Sequence, residues 1–417
     1  MSLQFITGGS GAGKSEYLSR LVCEESVRRP HDNFIVVVPE QYTMETQKKL
    51  VHMHSRKGIL NIDVVSFERL AYKVFEELGG GNRPVLDDTG KNLIVRRVLE
   101  KEKKKLDYFG SSIEKTGFVS ELKSVISELL QYGITPQQLG EIGENVKEKQ
   151  QLSAKLKDIR LVYEEFMAFL STNYITSEEI LDVLCGLVEK SKLIAGSEII
   201  FDGFTGFTPI QYKLMRLLLV YSKGIKISVT IDKKERPTGH EGWNNLFFMS
   251  KEMMNRLIAI CEEEGINVDD TVCVDRDINY RYEGAKDLAY LERNLFRYKG
   301  GVYTGTPENI RIYEGSNPKE ELQYIVSEIL QLTRKEGFRY RDIAVVTADL
   351  ETYGKVAANM MKQNDIPAFL DYKRSVAANP YVEMLCSALE IVEKGYPYDT
   401  MFRYLRTGLT GISRHDI

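Results

Sequence analysis

Gly8-Gly9-Ser10-Gly11-Ala12-Gly13-Lys14-Ser15 fits the pattern G-x-x-x-x-G-K-[ST] at every position and follows directly on the strand-like run Gln4-Phe5-Ile6-Thr7. Few short motifs constrain a fold so tightly. The glycines let the backbone curl so that successive N–H groups point at phosphate oxygens, and the helix opening at Lys14 adds the positive end of its dipole. Lys14 is expected to reach the β- and γ-phosphates of ATP, and Ser15 to ligate Mg²⁺. A chain carrying this motif must supply a strand before it, a helix after it and further parallel strands beside it.

The pattern downstream meets that requirement. The helix from Lys14 places Leu18, Leu21 and Val22 on one face. Phe34–Val38 is a continuous apolar run ended by Pro39, as in a strand buried on both faces. Asp63–Ser66 reads as a third strand. The helix after it carries Phe67, Leu70, Ala71, Val74, Phe75 and Leu78, and Gly79-Gly80-Gly81 stops it. Strand–helix alternation of this kind specifies an α/β fold with a parallel sheet covered by helices.

From residue 86 to residue 194 the period becomes helical throughout, with stripes at Phe118–Leu129 and Leu152–Leu170, so this stretch is read as an all-helical insertion. Its Lys101–Lys105 run is expected to be a solvated helix face. Residues 195–300 return to the first domain, with strands at Glu198–Phe201 and Ile225–Ile231. The polar stretch Asp275–Glu283 and the turn-rich Gly300–Pro307 mark a boundary, and residues 301–417 start a second, truncated α/β unit. Its expected strands are Ile310–Tyr313 and Ile343–Thr347. Asn317-Pro318 opens the helix between them, and another helix spans Leu350–Gln363.

Charge and cysteine usage narrow the function. The net charge is −4, so nucleic acid would be held by a local patch and not by bulk charge. The five cysteines, Cys23, Cys185, Cys261, Cys273 and Cys386, form no CxxC pair, and no zinc site or iron–sulfur cluster is expected in this chain. No apolar run approaches the ~20 residues of a membrane span. The N-terminus lacks the basic start and apolar region of a signal peptide, which gives a cytoplasmic expectation.

Asp202, ending the strand Glu198–Phe201, is the candidate second ligand for Mg²⁺ beside Ser15. Enzymes that activate water usually place another carboxylate next, and here that position is Gly203. A missing general base commonly costs ~10²–10⁴ in rate. The site reads as built to hold ATP and poorly equipped to cleave it, and no residue is assigned a catalytic role. The alternatives are an active P-loop kinase, an active helicase motor with another base, or a vestigial loop on a protein-interaction platform.

Three blocks in order, Phe5–Ser15, Pro39-Glu40-Gln41-Tyr42-Thr43 and Val64–Ala71 with Ser66-Phe67-Glu68-Arg69, resemble the N-terminal part of the B subunit of AddAB-type (RexAB-type) helicase–nucleases. Ile199–Phe207 and Ile343–Thr347 extend the resemblance along the chain. It implies two RecA-like units, as in UvrD-type superfamily 1 helicases whose motor has decayed. It also implies work on double-strand DNA ends with a motor-bearing A subunit, and reading of the 3′-ended strand for a Chi hotspot. Gln41, Thr43 and Arg69 would then lie near the strand, and Phe207 would stack on a base. Each has a plainer reading: Gln41 and Thr43 as helix caps, Arg69 as a solvated charge and Phe67 beside them as core. Departures from the helicase pattern follow from decay. Asp232-Lys233-Lys234 lacks a glutamine, Ile343–Asp349 lacks an arginine for the γ-phosphate, and no adenine-reading glutamine precedes Gly8. The family's nuclease domain and its iron–sulfur cluster have no counterpart here, so the chain is expected to be a fragment of a longer subunit.

Overall fold

The computed structural model describes residues 1–79, 84–115, 117–146, 149–176, 179–235, 242–297, 300–371 and 376–412. Nine strands occur among them: β1 (Ser2–Gly8), β2 (Asn33–Val37), β3 (Ile62–Val65), β4 (Val85–Leu86), β5 (Ile175–Thr176), β6 (Ser197–Phe201), β7 (Gly224–Thr230), β8 (Asn267–Val268) and β9 (Val272–Cys273). Seven of them form one sheet in the order β3-β2-β6-β7-β1-β8, with β9 also paired to β1, and every pairing is parallel. The protein is therefore an α/β chain with a parallel sheet.

Alternation of side chains across each strand builds two cores, one on either face of the sheet. Leu3, Phe5, Ile35, Val37, Ile199, Phe201 and Ile227 pack with Leu70, Val74, Leu214, Leu218 and Leu257. On the other face Ile6, Phe34, Val36 and Ile200 pack with Leu18, Val22 and Leu50. Helices Lys14–Arg28 and Thr43–Met53 cover this second face; Phe67–Leu78, Pro209–Tyr221 and Phe248–Glu264 cover the first.

The helical stretch has a core of its own. Ile94, Val95, Val98 and Leu99 of helix Asp88–Glu102 meet Leu122 and Ile126 of helix Phe118–Gln131, and Val162 and Phe166 of helix Gln150–Asn173. It is not purely helical, because β4 and β5 pair there in parallel. Two residues are too few to show a period of two, so this pairing left no pattern in the sequence. Within the lysine run, Lys101 pairs with Glu165, Lys103 with Glu114 and Lys105 with Glu102, and all three lysines are exposed.

The amino end of the sheet is closed by ions. Glu198 on β6 accepts from Arg29 Nη2 at 2.5 Å and from Lys226 on β7, while Arg29 also lies over the Phe34 ring. Burial alone would raise the Glu198 carboxyl; the bonds to Lys226 and Arg29 outweigh it and hold the group below its ordinary range.

The chain divides into two compact units, Met1–Ile310 and Arg311–Ile417. In the second, helices Pro318–Lys335 and Leu350–Gln363 pack through Val326, Ile329 and Met361, with Ile366 beside them. Asn317 caps the first of these, its side chain accepting from Glu320 N at 3.0 Å. The expected strands Ile310–Tyr313 and Ile343–Thr347 are not strands. Neither finds a ladder partner among the described residues, and Ile312 and Val346 stand 95% and 92% exposed. An alternating sequence suits a pleated surface, but a strand exists only where a neighbour takes up its N–H and C=O groups.

Two measurements check this architecture. Leu70→Ala, at a fully buried core position, should destabilise the fold by about 2–5 kcal/mol in denaturant unfolding, whereas Leu60→Ala, at a position 99% exposed, should leave it nearly unchanged. Because the Glu198 pKa is depressed on folding, its contribution is present above the unfolded value of about 4.3 and is lost as pH falls through the folded value. Glu198→Gln should therefore lower stability at neutral pH and flatten the acid limb; an unchanged limb would show that the network does not govern it.

Candidate functional site

The carboxyl ends of the strands in an open parallel sheet are where such folds bind ligands. Here that edge gathers the glycine-rich loop after β1, Pro39–Thr43 after β2, Ser66–Arg69 after β3, Asp202 after β6 and Asp232 after β7. The β1–β7 ladder runs to the pair Gly8↔Thr230, and Ile231 N still donates to Gly8 O at 3.2 Å. Beyond that pair the loop leaves the sheet and turns into helix Lys14–Arg28 through Gly13 at φ 95°.

Among the described residues, the N–H groups of Gly11, Gly13, Lys14 and Ser15 have no acceptor. These are the donors left over at a helix start, and here a curled loop adds to them. Lys14 Nζ folds back onto Gly8 O at 2.8 Å and Gly9 O at 2.9 Å. Burial pushes its ammonium below the ordinary lysine range, nearby Asp202, Asp275 and Glu292 pull the other way, and the Arg281 guanidinium lowers it further. Lys14 and Arg281 thus bring two cations to the loop that carries the acceptor-free N–H groups, with Asp202, Asp275 and Glu292 nearby. Ser15 is exposed at the helix start. Asp202 accepts from Ser228 Oγ of β7 at 2.5 Å, and the same hydroxyl accepts from Gly203 N at 3.3 Å. Ser15 and Asp202 supply the hydroxyl and carboxylate oxygens that a Mg²⁺ ion prefers.

Four residues at the loop had no signal in the sequence, being more than two hundred positions away from it. Asp275 Oδ1 accepts from Gly9 N at 2.8 Å while its Oδ2 accepts from Lys233 N at 2.9 Å. Glu292 Oε1 accepts from Ser10 N at 3.3 Å, and Asn279 Nδ2 donates to Ser10 O at 3.2 Å. Arg281 donates through Nη1 to Ser10 Oγ at 3.4 Å and through its backbone N–H to Gly11 O at 3.3 Å. The stretch Asp275–Glu283, expected to mark a boundary, instead lies along the loop. Its approach is close: a Cβ on Gly11, itself at φ 71°, would stand 2.5 Å from the Arg281 Cβ.

The residues expected to meet DNA fall in two groups. Gln41 is exposed in the 3₁₀ turn Glu40–Tyr42. Thr43 is the first residue of the next helix and not its cap, which is Tyr42; it is buried, with its hydroxyl donating to Glu40 O at 2.9 Å. Exposed Arg69 pairs with Glu40 at 3.0 Å, so Gln41, Thr43 and Arg69 adjoin one glutamate. Ser66 caps its helix by accepting from Arg69 N, and Phe67 is core. Phe207 is half-buried, its ring within 6.0 Å of those of Phe67, Phe201, Phe204 and Tyr212.

A parallel α/β sheet with a phosphate-type loop at its carboxyl edge defines the class of chain. Comparison with known proteins gives the particular family. The family described as ADDB, N-terminal, matches residues 5–292. Proteins named as the B subunit of an ATP-dependent helicase/deoxyribonuclease align along the whole chain. The one from Lachnoclostridium phytofermentans is 42% identical, and those from Caldanaerobacter subterraneus subsp. tengcongensis and Clostridioides difficile strain 630 are each 36% identical. The chain belongs to the AddB family. It spans 36% of the length of each of these relatives. Among the described residues no helix is long and apolar enough to cross a membrane.

Gly11→Ala should lower stability by about 1–2 kcal/mol, since a side chain in the left-handed region and a clash with Arg281 act together. Chemical denaturation beside Gly58→Ala is the check, because a Cβ on Gly58 meets nothing closer than 3.9 Å; equal effects would mean that the loop does not hold Arg281 this closely.

Proposed function

We propose that this chain is the ATP-binding, helicase-like part of a subunit that processes double-strand DNA breaks. The observation that carries the reading is the set of acceptor-free N–H groups on Gly11, Gly13, Lys14 and Ser15, beside the Lys14 and Arg281 cations. In this reading Gly8–Ser15 wrap the phosphates of ATP, and Ser15 and Asp202 hold Mg²⁺, which would neutralise phosphate charge. The domain is RecA-like, with the helical stretch 86–194 inserted into it. The names of relatives, which couple a helicase to a deoxyribonuclease in one B subunit, support DNA ends as substrate and a separate A subunit as partner. Gln41, Thr43 and Arg69 then lie along the 3′-ended strand, and Phe207 offers its remaining exposed edge to a base. Reading of a Chi sequence is the role that such contacts serve.

Hydrolysis is weak in this account. Gly203 occupies the position of the missing carboxylate with φ 84°, a conformation that L side chains rarely adopt, and a Cβ there would stand 3.4 Å from Pro39 Cδ. The backbone itself disfavours a glutamate at this point. ATP therefore serves as a ligand that stabilises a DNA-gripping state, and the partner supplies most of the ATP-driven work.

Binding and turnover of Mg·ATP, with and without single-stranded DNA, test this directly. Saturable binding with negligible turnover is expected, and Lys14→Ala should weaken it at least tenfold, about 1.4 kcal/mol. Gly203→Glu should not create turnover and should cost about 1 kcal/mol of stability. Robust DNA-stimulated turnover would sink the reading and make the chain a motor.

A further inference from the structure

We propose that helix Lys286–Asn294 is a strut that carries the state of the glycine-rich loop to Glu308 and Asn309, the segment through which the chain leaves its first unit. The inference rests on nucleotide binding at the loop for its trigger, but not for its mechanics.

The helix is fastened at both ends by carboxylates. Near its C-terminus Glu292 Oε1 accepts from Ser10 N of the loop at 3.3 Å. Near its N-terminus Asp287, 4% exposed, accepts through Oδ2 from Glu308 N at 2.9 Å and Asn309 N at 2.7 Å, and through Oδ1 from Asn309 Nδ2 at 2.9 Å. The two anchors are separated by about 7.5 Å along the axis at 1.5 Å per residue, a span that a helix crosses without bending. The unit boundary follows at once, after Ile310.

The two ends are unequal. Asp287 makes three bonds to the exit segment, is buried, and is pushed down to about 2 by the Asn309 backbone and side-chain donors. It stays ionised and holds its partners across the physiological range. Glu292 makes one long bond to the loop, is half-exposed, and sits beside the N–H groups where phosphates would settle. Negative phosphate arriving there repels the Glu292 carboxylate and competes for the loop's donors. The loop end is thus the releasable one. On release the helix turns about Asp287 and loosens its bonds to the N–H groups of residues 308 and 309, so occupancy of the loop is felt where the chain leaves its first unit.

The test reads each end after a change at the other, by amide hydrogen exchange in the full-length polypeptide together with its partner subunit. Without nucleotide, Glu292→Gln should speed exchange at Glu308 and Asn309, and Asp287→Asn should speed it at Gly9 and Ser10, each by about tenfold. Changes confined to the mutated end in both variants would overturn the strut. Should Asp287→Asn fail to fold, Glu292→Gln alone decides. With Mg·ATP the wild type should show faster exchange at Glu308 and Asn309, and Glu292→Gln should lose that difference. Binding measured by titration without any change at residues 308 and 309 would also overturn it. If titration finds no binding, the nucleotide reading fails while the nucleotide-free comparison still decides the strut.

Discussion

The parallel ladder between β1 and β7 is the constraint on which the rest of the site depends. It carries the first strand as far as Gly8, opposite Thr230, and then stops. Past that point the chain must turn over the sheet edge, and N–H groups of the turn and of the first helical residues are left without acceptors in a partly buried setting. Elementary accounting of backbone donors then demands a partner of opposite character. The molecule meets part of that demand from within: Asp275 and Glu292 take the N–H groups of Gly9 and Ser10 on the outer arm. The inner donors, on Gly11, Gly13, Lys14 and Ser15, have no acceptor among the described residues.

The two ends of the sheet are built differently, and the contrast explains where function can lie. At the amino end Glu198, Arg29 and Lys226 satisfy one another. At the carboxyl end Lys14 bonds, among the described residues, to carbonyls of its own loop and is held below its ordinary pKa by burial, against the pull of Asp202, Asp275 and Glu292. Charges of both signs, Lys14 and Arg281 with Asp202, Asp275 and Glu292, thus gather beside the unsatisfied donors. Beside them the left-handed backbone at Gly203 disfavours any residue with a side chain, a carboxylate included. The proposed binding without cleavage thus rests on two neighbouring stretches of one sheet edge.

Much of this was legible in the sequence, for physical reasons. Strands buried on both faces leave continuous apolar runs, and helices covering them leave stripes, so β1, β2, β3, β6 and β7 and the helix Phe67–Leu78 stand within a residue or two of where the pattern puts them. The phosphate-type loop is local, and so was readable. The clasp on it was not, because Asp275, Asn279, Arg281 and Glu292 reach the loop from the far end of the first unit, and a run of polar residues looks like a linker when its partners are distant. Ile310–Tyr313 and Ile343–Thr347 failed in the opposite way: their composition suits strands, but no neighbour among the described residues pairs with them. Val-Ser-Phe-Glu-Arg-Leu holds a cap, three core residues and an ion pair as well as a candidate DNA contact, and one pattern cannot separate these roles.

The most direct test of the central claim is a crystal structure of the protein with Mg²⁺ and a non-hydrolysable ATP analogue. The β- and γ-phosphates are expected on the N–H groups of Gly11, Gly13, Lys14 and Ser15, with Lys14 Nζ moved from the Gly8 and Gly9 carbonyls to phosphate oxygen and Mg²⁺ between Ser15 and Asp202. Nucleotide bound elsewhere, or Lys14 still on those carbonyls with the analogue present, would contradict it.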